Sequence, residues 1–327
     1  MFLPKAFLNG GILFSSLTLV VVSLINCLCF RLLLDCRQKH GGGYGELGAA
    51  IVGPRFRNTI LASIALSQLG FVCAGLIFTA ENFLAFLQAI SREREGFDIG
   101  VPGLIALQLI PLIPLALIRN ISKLGHVALL ADIFILIGLC ASSMQKPENF
   151  SALLYLVMFL ITIIFTSVGA LCYATFGEET KIQVISNFPQ DSPVVNAVQL
   201  LYSLAVLGGE PVQLFPAVRI IETSLFGERA TGKRSMAIKW KKNAIRSAVM
   251  ALCIAISMVG ATDLDKFVAL IGSFACVPLV YIYPAYLHYR GVAIKSWAKG
   301  LDLVLMLLGI IAMVYTTIVT LVQWIDV

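Results

Sequence analysis

Charge is what this sequence lacks most. Asp, Glu, Lys and Arg make up 13% of its 327 residues, where a soluble domain carries roughly 25%. Histidine is nearly missing as well, and the three present are too scattered to form a metal site. The eight cysteines include no C-x-x-C pair, which excludes a zinc knuckle or a thioredoxin-type redox pair. Most of them fall inside apolar stretches, where a cysteine packs as a small apolar residue. The net charge of +6 is not a nucleic-acid footprint, because the basic residues sit in short segments between apolar blocks. No paired acid and base and no metal-ligand pattern occurs within those blocks, so neither an enzyme nor a cofactor is expected.

What is present is hydrocarbon. Hydrophobic residues make up 59% of the chain, gathered in blocks of about 20, each long enough to cross some 30 Å of bilayer as a helix. Lipid offers the backbone no hydrogen bonds, so only helices or a closed barrel can cross it. The blocks are continuously apolar rather than alternating, which favours helices. Nine spans are expected, at about 11–34, 59–88, 101–118, 124–143, 152–175, 194–221, 247–261, 267–287 and 302–324. The first is too long for a signal-peptide core and lacks an A-x-A site. Connections are short, so the expected organisation is a single transmembrane domain over residues 1–327, an all-α polytopic helical bundle. The longest polar stretches, 35–58 and 222–246, read as aqueous loops.

The basic residues disagree with that count. Arg31, Arg37, Lys39, Arg55 and Arg57 fall in one connection. Arg229, Lys233, Arg234, Lys239, Lys241, Lys242 and Arg246 fall in a second, and Arg290, Lys295 and Lys299 in a third. The positive-inside rule puts all three in the cytoplasm. Nine alternating spans put the first on one side and the other two on the opposite side. One additional crossing between 124 and 152 brings all three together, and it sends the acidic segments 178–191 and 263–265 to the far side.

Several short motifs occur in a fixed order. They are Phe2-Leu-Pro-Lys-Ala-Phe-Leu-Asn-Gly-Gly11, Ser67-Gln-Leu-Gly-Phe71, Phe78-Thr-Ala-Glu-Asn82, Gly169-Ala-Leu-Cys-Tyr-Ala-Thr-Phe-Gly177 and Pro211-Val-Gln-Leu-Phe-Pro216. A further one is Gly272-Ser-Phe-Ala-Cys-Val-Pro-Leu-Val-Tyr-Ile-Tyr-Pro284. Together they resemble the amino acid/auxin permease family, in its fungal vacuolar amino acid transporter branch, over nearly the whole chain. The resemblance implies an eleven-helix secondary transporter with a LeuT-like core of two inverted repeats. The first and sixth helices of such a core unwind at mid-membrane to hold substrate. It implies amino acids and protons as partners, by symport or antiport, and a vacuolar membrane location.

Against that pattern the chain begins after the glycine-rich break of the first helix. It also passes from Gly138-Leu-Cys-Ala straight on to Ser143-Met-Gln-Lys-Pro-Glu-Asn149, where the family places its sixth helix. The expected fold is therefore an incomplete LeuT-like inverted-repeat transporter. The alternative to a transporter is a truncated paralogue that inserts without transporting. A third departure is Leu207-Gly-Gly-Glu210 ahead of Pro211, where relatives usually carry small hydroxyl residues.

The candidate substrate or coupling-ion residues are Glu81, Asp132, Tyr202, Ser203, Glu210, Gln213 and Ser273. A carboxylate at bilayer depth costs several kcal/mol unless it is protonated, paired or wet. That singles out Asp132, midway along the fourth span, and Glu210, beside two glycines and a proline that can open a helix. Glu81 is equally readable as a headgroup-level carboxylate, and Asp132 as an interhelical hydrogen bond. Ser67, Gln68, Tyr202, Ser203, Gln213 and Ser273 are more often the polar contacts that join membrane helices than ligands. The prolines of the third, sixth and eighth spans read first as kinks. Gly43-Tyr-Gly45-Glu-Leu-Gly48 fits G-x-G-x-x-G without the preceding strand that motif needs. Asn120 and Asn149 head glycosylation-type triplets at sites not expected to be used.

Overall fold

The structure, a computed structural model, describes residues 3–90, 99–117, 150–181, 183–189, 192–227 and 236–325. The expected span at 124–143, Asp132, the 138–143 junction, Asn120 and Asn149 lie outside the described residues. Within them the chain is helical. The helices are α1 (Leu3–His40), α2 (Tyr44–Ile51), α3 (Pro54–Ile90), α4 (Val101–Leu107), α5 (Leu109–Ala116), α6 (Phe150–Phe176), α7 (Pro193–Phe226), α8 (Met236–Val259), α9 (Leu264–Ile271), α10 (Tyr283–Gly291) and α11 (Ser296–Ile325). Among the described residues seven helical stretches are long and apolar enough to cross a bilayer, and Val101–Ala116 is a shorter apolar one. Large apolar side chains such as Leu13, Ile110, Leu171 and Val259 face outward along them, as a lipid-solvated bundle requires.

Helix ends reach further than hydropathy suggests. The stretch 222–246 is not a continuous aqueous loop, because α7 runs to Phe226 and α8 starts at Met236. Lys239, Lys241 and Lys242 lower the hydropathy of the first two turns of α8, yet long basic stems lie along apolar surface while their heads stay at the interface. The two glycine-rich kinks also differ in kind. At Gly11 α1 breaks, with φ 71° and ψ 171°, a conformation open to glycine but strained for other residues. Ser15 Oγ donates to the Ala6 carbonyl at 3.0 Å across that break. In contrast, α7 runs unbroken through Gly208, Gly209 and Pro211. The proline-bearing eighth span is wound as π-helix over Gly272–Cys276 and Pro278–Ile282, a rare geometry that frequently accompanies functional sites.

The described chain forms two compact units, each assembled from separate stretches of sequence. The first contains α1, α2, α6, α10 and the start of α11. Its core gathers Cys29, Leu32, Ala285 and Leu305. α6 lies along α1, joined by a hydrogen bond from Thr162 Oγ1 to Ser23 Oγ at 2.7 Å. Gly169 of α6 meets the Phe7 ring where a Cβ would not fit. Lys39 Nζ donates to the Gly291 carbonyl at 2.7 Å, satisfying an orphan carbonyl at the end of α10. Beside it, Phe56 makes edge-on contacts with Tyr283 and Tyr286 at 5.4 and 5.3 Å.

The second unit contains α3, α4, α5, α7, α8, α9 and the end of α11. Here the direction of each helix can be read from its contacts. Arg57 and Asn58, at the start of α3, share a groove with Thr223 and Ser224, at the end of α7. Farther along, Gly75 meets Glu210, and Phe78 meets Tyr202 edge-on at 5.1 Å. α3 and α7 are therefore antiparallel. Arg246, in the first half of α8, bonds both Glu222 near the end of α7 and the Ala116 carbonyl at the end of α5, while Cys253 and Ser257 farther along α8 meet Cys73 midway along α3. The start of α3 and of α8 and the ends of α5 and α7 thus lie at one end of the unit. This is the end where Arg57, Lys239, Lys241 and Lys242 are found, so the positive-inside rule marks it cytoplasmic. The sequence between Arg57 and the end of α7 then holds an even number of crossings. Its described apolar elements, namely α3, the α4–α5 pair, α6 and α7, are themselves even in number.

Candidate functional site

The second unit has a polar interior that lipid cannot satisfy. Glu210 is 4% exposed, and its carboxylate lies against the backbone of Gly75, where any Cβ would collide with Oε1. Glycine at 75 is what makes room for a carboxylate between α3 and α7. Oε2 has no hydrogen-bond partner among the described residues. Pro211, next in the chain, has no N–H, so the Leu207 carbonyl four residues earlier loses its helical donor.

One turn up from Gly75 and two turns up from Glu210, the same faces of α3 and α7 open onto a cavity of about 310 Å³ closed on its third side by α4 and α5. Its walls are mostly apolar, with Phe83, Leu104 and Leu207 among them, but three buried polar side chains reach it, namely Thr79, Gln108 and Ser203. Gln108 Nε2 donates to the Leu76 carbonyl at 3.0 Å, which fixes the amide with its oxygen free. Ser203 Oγ donates to the Gln199 carbonyl at 2.8 Å. Thr79 Oγ1 and Gln108 Oε1 have no partner among the described residues.

Each unpaired buried polar atom costs on the order of 1–3 kcal/mol. Three in one part of one unit (Thr79, Gln108 and Glu210) are unusual in a folded protein. Two of them, the Gln108 amide oxygen and the Glu210 carboxylate, only accept hydrogen bonds, and the freed Leu207 carbonyl adds a third acceptor. An ammonium group, with three N–H donors and no acceptor, is the chemical complement of such a set.

The floor of this region is held by α8. Cys73 Sγ–H donates to the Cys253 carbonyl at 3.4 Å. Ser257 Oγ donates to that same carbonyl at 2.7 Å and lies 3.1 Å from the Cys73 carbonyl. At the cytoplasmic end the chain is clamped by charge. Arg246 Nε donates to Glu222 Oε1 at 2.6 Å, Lys242 Nζ lies 3.6 Å from Oε2, and Arg246 Nη1 donates to the Ala116 carbonyl at 3.2 Å.

The expected site residues fall into three groups. Ser203 and Glu210 come together on the buried face of α7, and Tyr202 beside them packs on Phe78. Gln213 is half-buried one turn beyond Glu210, and Glu81 is half-buried on α3, three residues past Phe78. Ser273 lies apart in the first π-helical turn, buried, donating to the Leu270 carbonyl and accepting from Thr317 Oγ1 at 2.9 Å. Asp132 lies outside the described residues.

Sequence reasoning missed Gln108 and Thr79. Gln108 did leave a signal, since it is the one polar side chain between Val101 and Leu117. It also missed a buried pair in the first unit, where His288 Nδ1 and Asp302 Oδ2 are 2.7 Å apart. Both residues sit just at or outside the ends of the hydropathy spans that bracket them.

Comparison with known proteins agrees with this picture. The profile of the family described as transmembrane amino acid transporter protein matches residues 1–143 and, as a second segment, 141–322. Vacuolar amino acid transporter 3 of Saccharomyces cerevisiae is 39% identical over 376 residues, covering 99% of this chain and 54% of that protein. The transporter of the same name from Schizosaccharomyces pombe is 37% identical, covering 98% of this chain and 55% of its own length. Vacuolar amino acid transporter 4 of Saccharomyces cerevisiae is 34% identical, covering 97% and 55%. The chain spans about half the length of these relatives. The resemblance to the amino acid/auxin permease family and its fungal vacuolar branch is borne out. Matched over nearly its whole length, the chain belongs to the transmembrane amino acid transporter protein family.

Proposed function

We propose that this chain moves amino acids across the vacuolar membrane, coupled to protons, as a secondary transporter. The carrying observation is the acceptor-lined region between α3, α5 and α7, where Gln108 Oε1 and Glu210 Oε2 are buried and unsatisfied. It suits the ammonium group that every amino acid presents, and buried ionisable residues in membrane helices mark ion and substrate paths. The relatives' names, vacuolar amino acid transporters 3 and 4, support both the substrate class and the membrane. Ser203 and Tyr202 line or flank the region, Glu81 and Gln213 extend it along α3 and α7, and Ser273 and Asp132 are proposed as accessory or coupling groups. The test is uptake of a labelled amino acid mixture by the purified chain in vesicles, with and without a pH gradient. Uptake that follows the gradient and falls in Glu210→Ala supports the reading. Absence of uptake by inserted, folded protein counts against it.

A second reading has its own support. The two segments matched by the family profile meet at residues 141–143. The 376-residue alignment to the first relative is longer than this chain of 327 residues by more than the roughly 20 residues a crossing helix needs. With the expected span at 124–143 added to the four described apolar elements between Arg57 and the end of α7, the count becomes odd, and one further crossing restores the even number the cytoplasmic end requires. We propose that a helix-length stretch following residue 140 in the relatives is missing from this sequence, and that this form inserts without transporting. Transcript reads across Leu139–Ser143 decide it. Reads that encode an additional apolar stretch there sink the idea of a natural short form.

A further inference from the structure

The groove between the start of α3 and the end of α7 has a volume of about 740 Å³ and lies wholly within the second unit. Its mouth carries two arginines, Arg57 and Arg219, with Asn58, Thr223 and Ser224 around them. Its deeper wall is hydrocarbon, running from Leu61 through Leu66 to Leu69. Among the described residues neither guanidinium has an ion-pair or hydrogen-bond partner. Glu222, three residues beyond Arg219 on α7, is already engaged by Arg246 and Lys242. Among the described residues the two charges are therefore left without a counterion, as a site for an outside anion would leave them.

The dimensions say what that is. Arg57 lies within the first turn of α3, at the membrane boundary. From there to Leu69 the helix rises about 18 Å, close to one leaflet of a hydrocarbon core some 30 Å thick. Leu66 and Leu225 are 46% and 63% exposed, so the groove opens sideways toward lipid rather than into a closed chamber. Guanidinium groups bind phosphate through paired N–H donors, and cationic pockets between helices on the cytoplasmic side bind anionic headgroups. We propose that this groove is a binding site for an anionic phospholipid of the cytoplasmic leaflet. Arg57 and Arg219 hold the phosphate, Asn58, Thr223 and Ser224 donate to the headgroup, and an acyl chain lies along Leu61, Leu66 and Leu69. The lipid bridges the two antiparallel helices that carry Gly75 and Glu210. The site does not depend on the chain being an active transporter.

The experiment is lipid retention by the full chain, extracted from vesicles of phosphatidylcholine mixed with phosphatidylserine or phosphatidylinositol and analysed by native mass spectrometry. The expected result is retention of the anionic lipid over phosphatidylcholine by about tenfold, because each arginine near the surface contributes several-fold. Arg57→Gln with Arg219→Gln abolishes the preference. Lys239→Gln with Lys241→Gln, at the same membrane end but outside the groove, preserves it. If the double arginine variant does not fold, Arg219→Gln alone is read, since Arg219 is exposed, and the expected preference is reduced by several-fold. Equal retention of both lipids by the unaltered chain overturns the site, as does an undiminished preference in a folded arginine variant. Thermal protection by inorganic phosphate equal to that by the lipid overturns the assignment to phospholipid.

Discussion

Glu210 is buried against Gly75, and no larger residue at 75 leaves space for its carboxylate. The two positions are 135 residues apart, yet each makes sense only with the other. A glycine in a transmembrane helix usually serves close backbone approach; here it makes way for a charge-bearing side chain.

The pair yields a first prediction. Gly75→Ala forces Glu210 or α7 to move and lowers stability by about 1–3 kcal/mol, the usual cost of overpacking. Combining it with Glu210→Ala removes the collision, so the two effects are strongly non-additive. Thermal unfolding of the four proteins of this cycle checks it. Additive losses contradict the contact.

Arg246 gives the second. Glu222 is 4% exposed, and Arg246 and Lys242 are its counterions. Arg246→Ala leaves that carboxylate short of its closer partner and uncaps the Ala116 carbonyl, at a cost of about 3–5 kcal/mol. Replacing both residues together, as Glu222→Gln with Arg246→Met, costs much less because no charge is stranded. Unfolding in detergent or nanodiscs measures both, and equal losses from the single and double changes count against the clamp.

The first unit supplies a third. Asp302 is fully buried and accepts a 2.7 Å hydrogen bond from the His288 ring. A hydrogen bond involving a charged group is worth about 1.5–3 kcal/mol. Asp302→Ala should therefore destabilise more than Asp302→Asn, whose amide oxygen can still accept from Nδ1–H. The reverse order in a melting series argues against the bond.

Membrane topology is the fourth. Asn58 and Ser224 flank one groove, while Thr262 lies past the far end of α8. A membrane-impermeant maleimide should label Asn58→Cys and Ser224→Cys from the same side of sealed vesicles and Thr262→Cys from the other. Labelling of positions 58 and 224 from opposite sides contradicts the antiparallel pairing of α3 and α7.

Much of this was legible beforehand, and the parts that were not share a cause. Among the described residues, seven of the expected spans are helices long and apolar enough to cross a bilayer and the one at 101–118 is a shorter apolar pair, and the basic residues signalled an uneven crossing count before any contact was known. Glu210 and Ser203 could be named because a carboxylate or hydroxyl deep in an apolar block stands out locally. Their partners could not, because Gly75, Thr79 and Gln108 become partners only when α3 and α5 fold against α7, and no local pattern encodes that pairing. The ends of helices were misjudged where charge collects. Arg246 was read into a loop although it is buried, since its cost is offset by Glu222 on a different helix, a pairing that hydropathy does not register. His288 and Asp302 escaped for the same reason. The π-helical turns around Ser273 leave no trace in hydropathy, which is blind to a change in backbone pitch.

The most direct measurement is gradient-driven uptake of labelled amino acids by the reconstituted full chain, compared with Glu210→Ala and with empty vesicles. The expected result is uptake several-fold above empty vesicles that collapses when the pH gradient is dissipated and is lost in Glu210→Ala. Uptake no greater than in empty vesicles, by protein whose maleimide labelling reports correct insertion, would contradict transport by this chain.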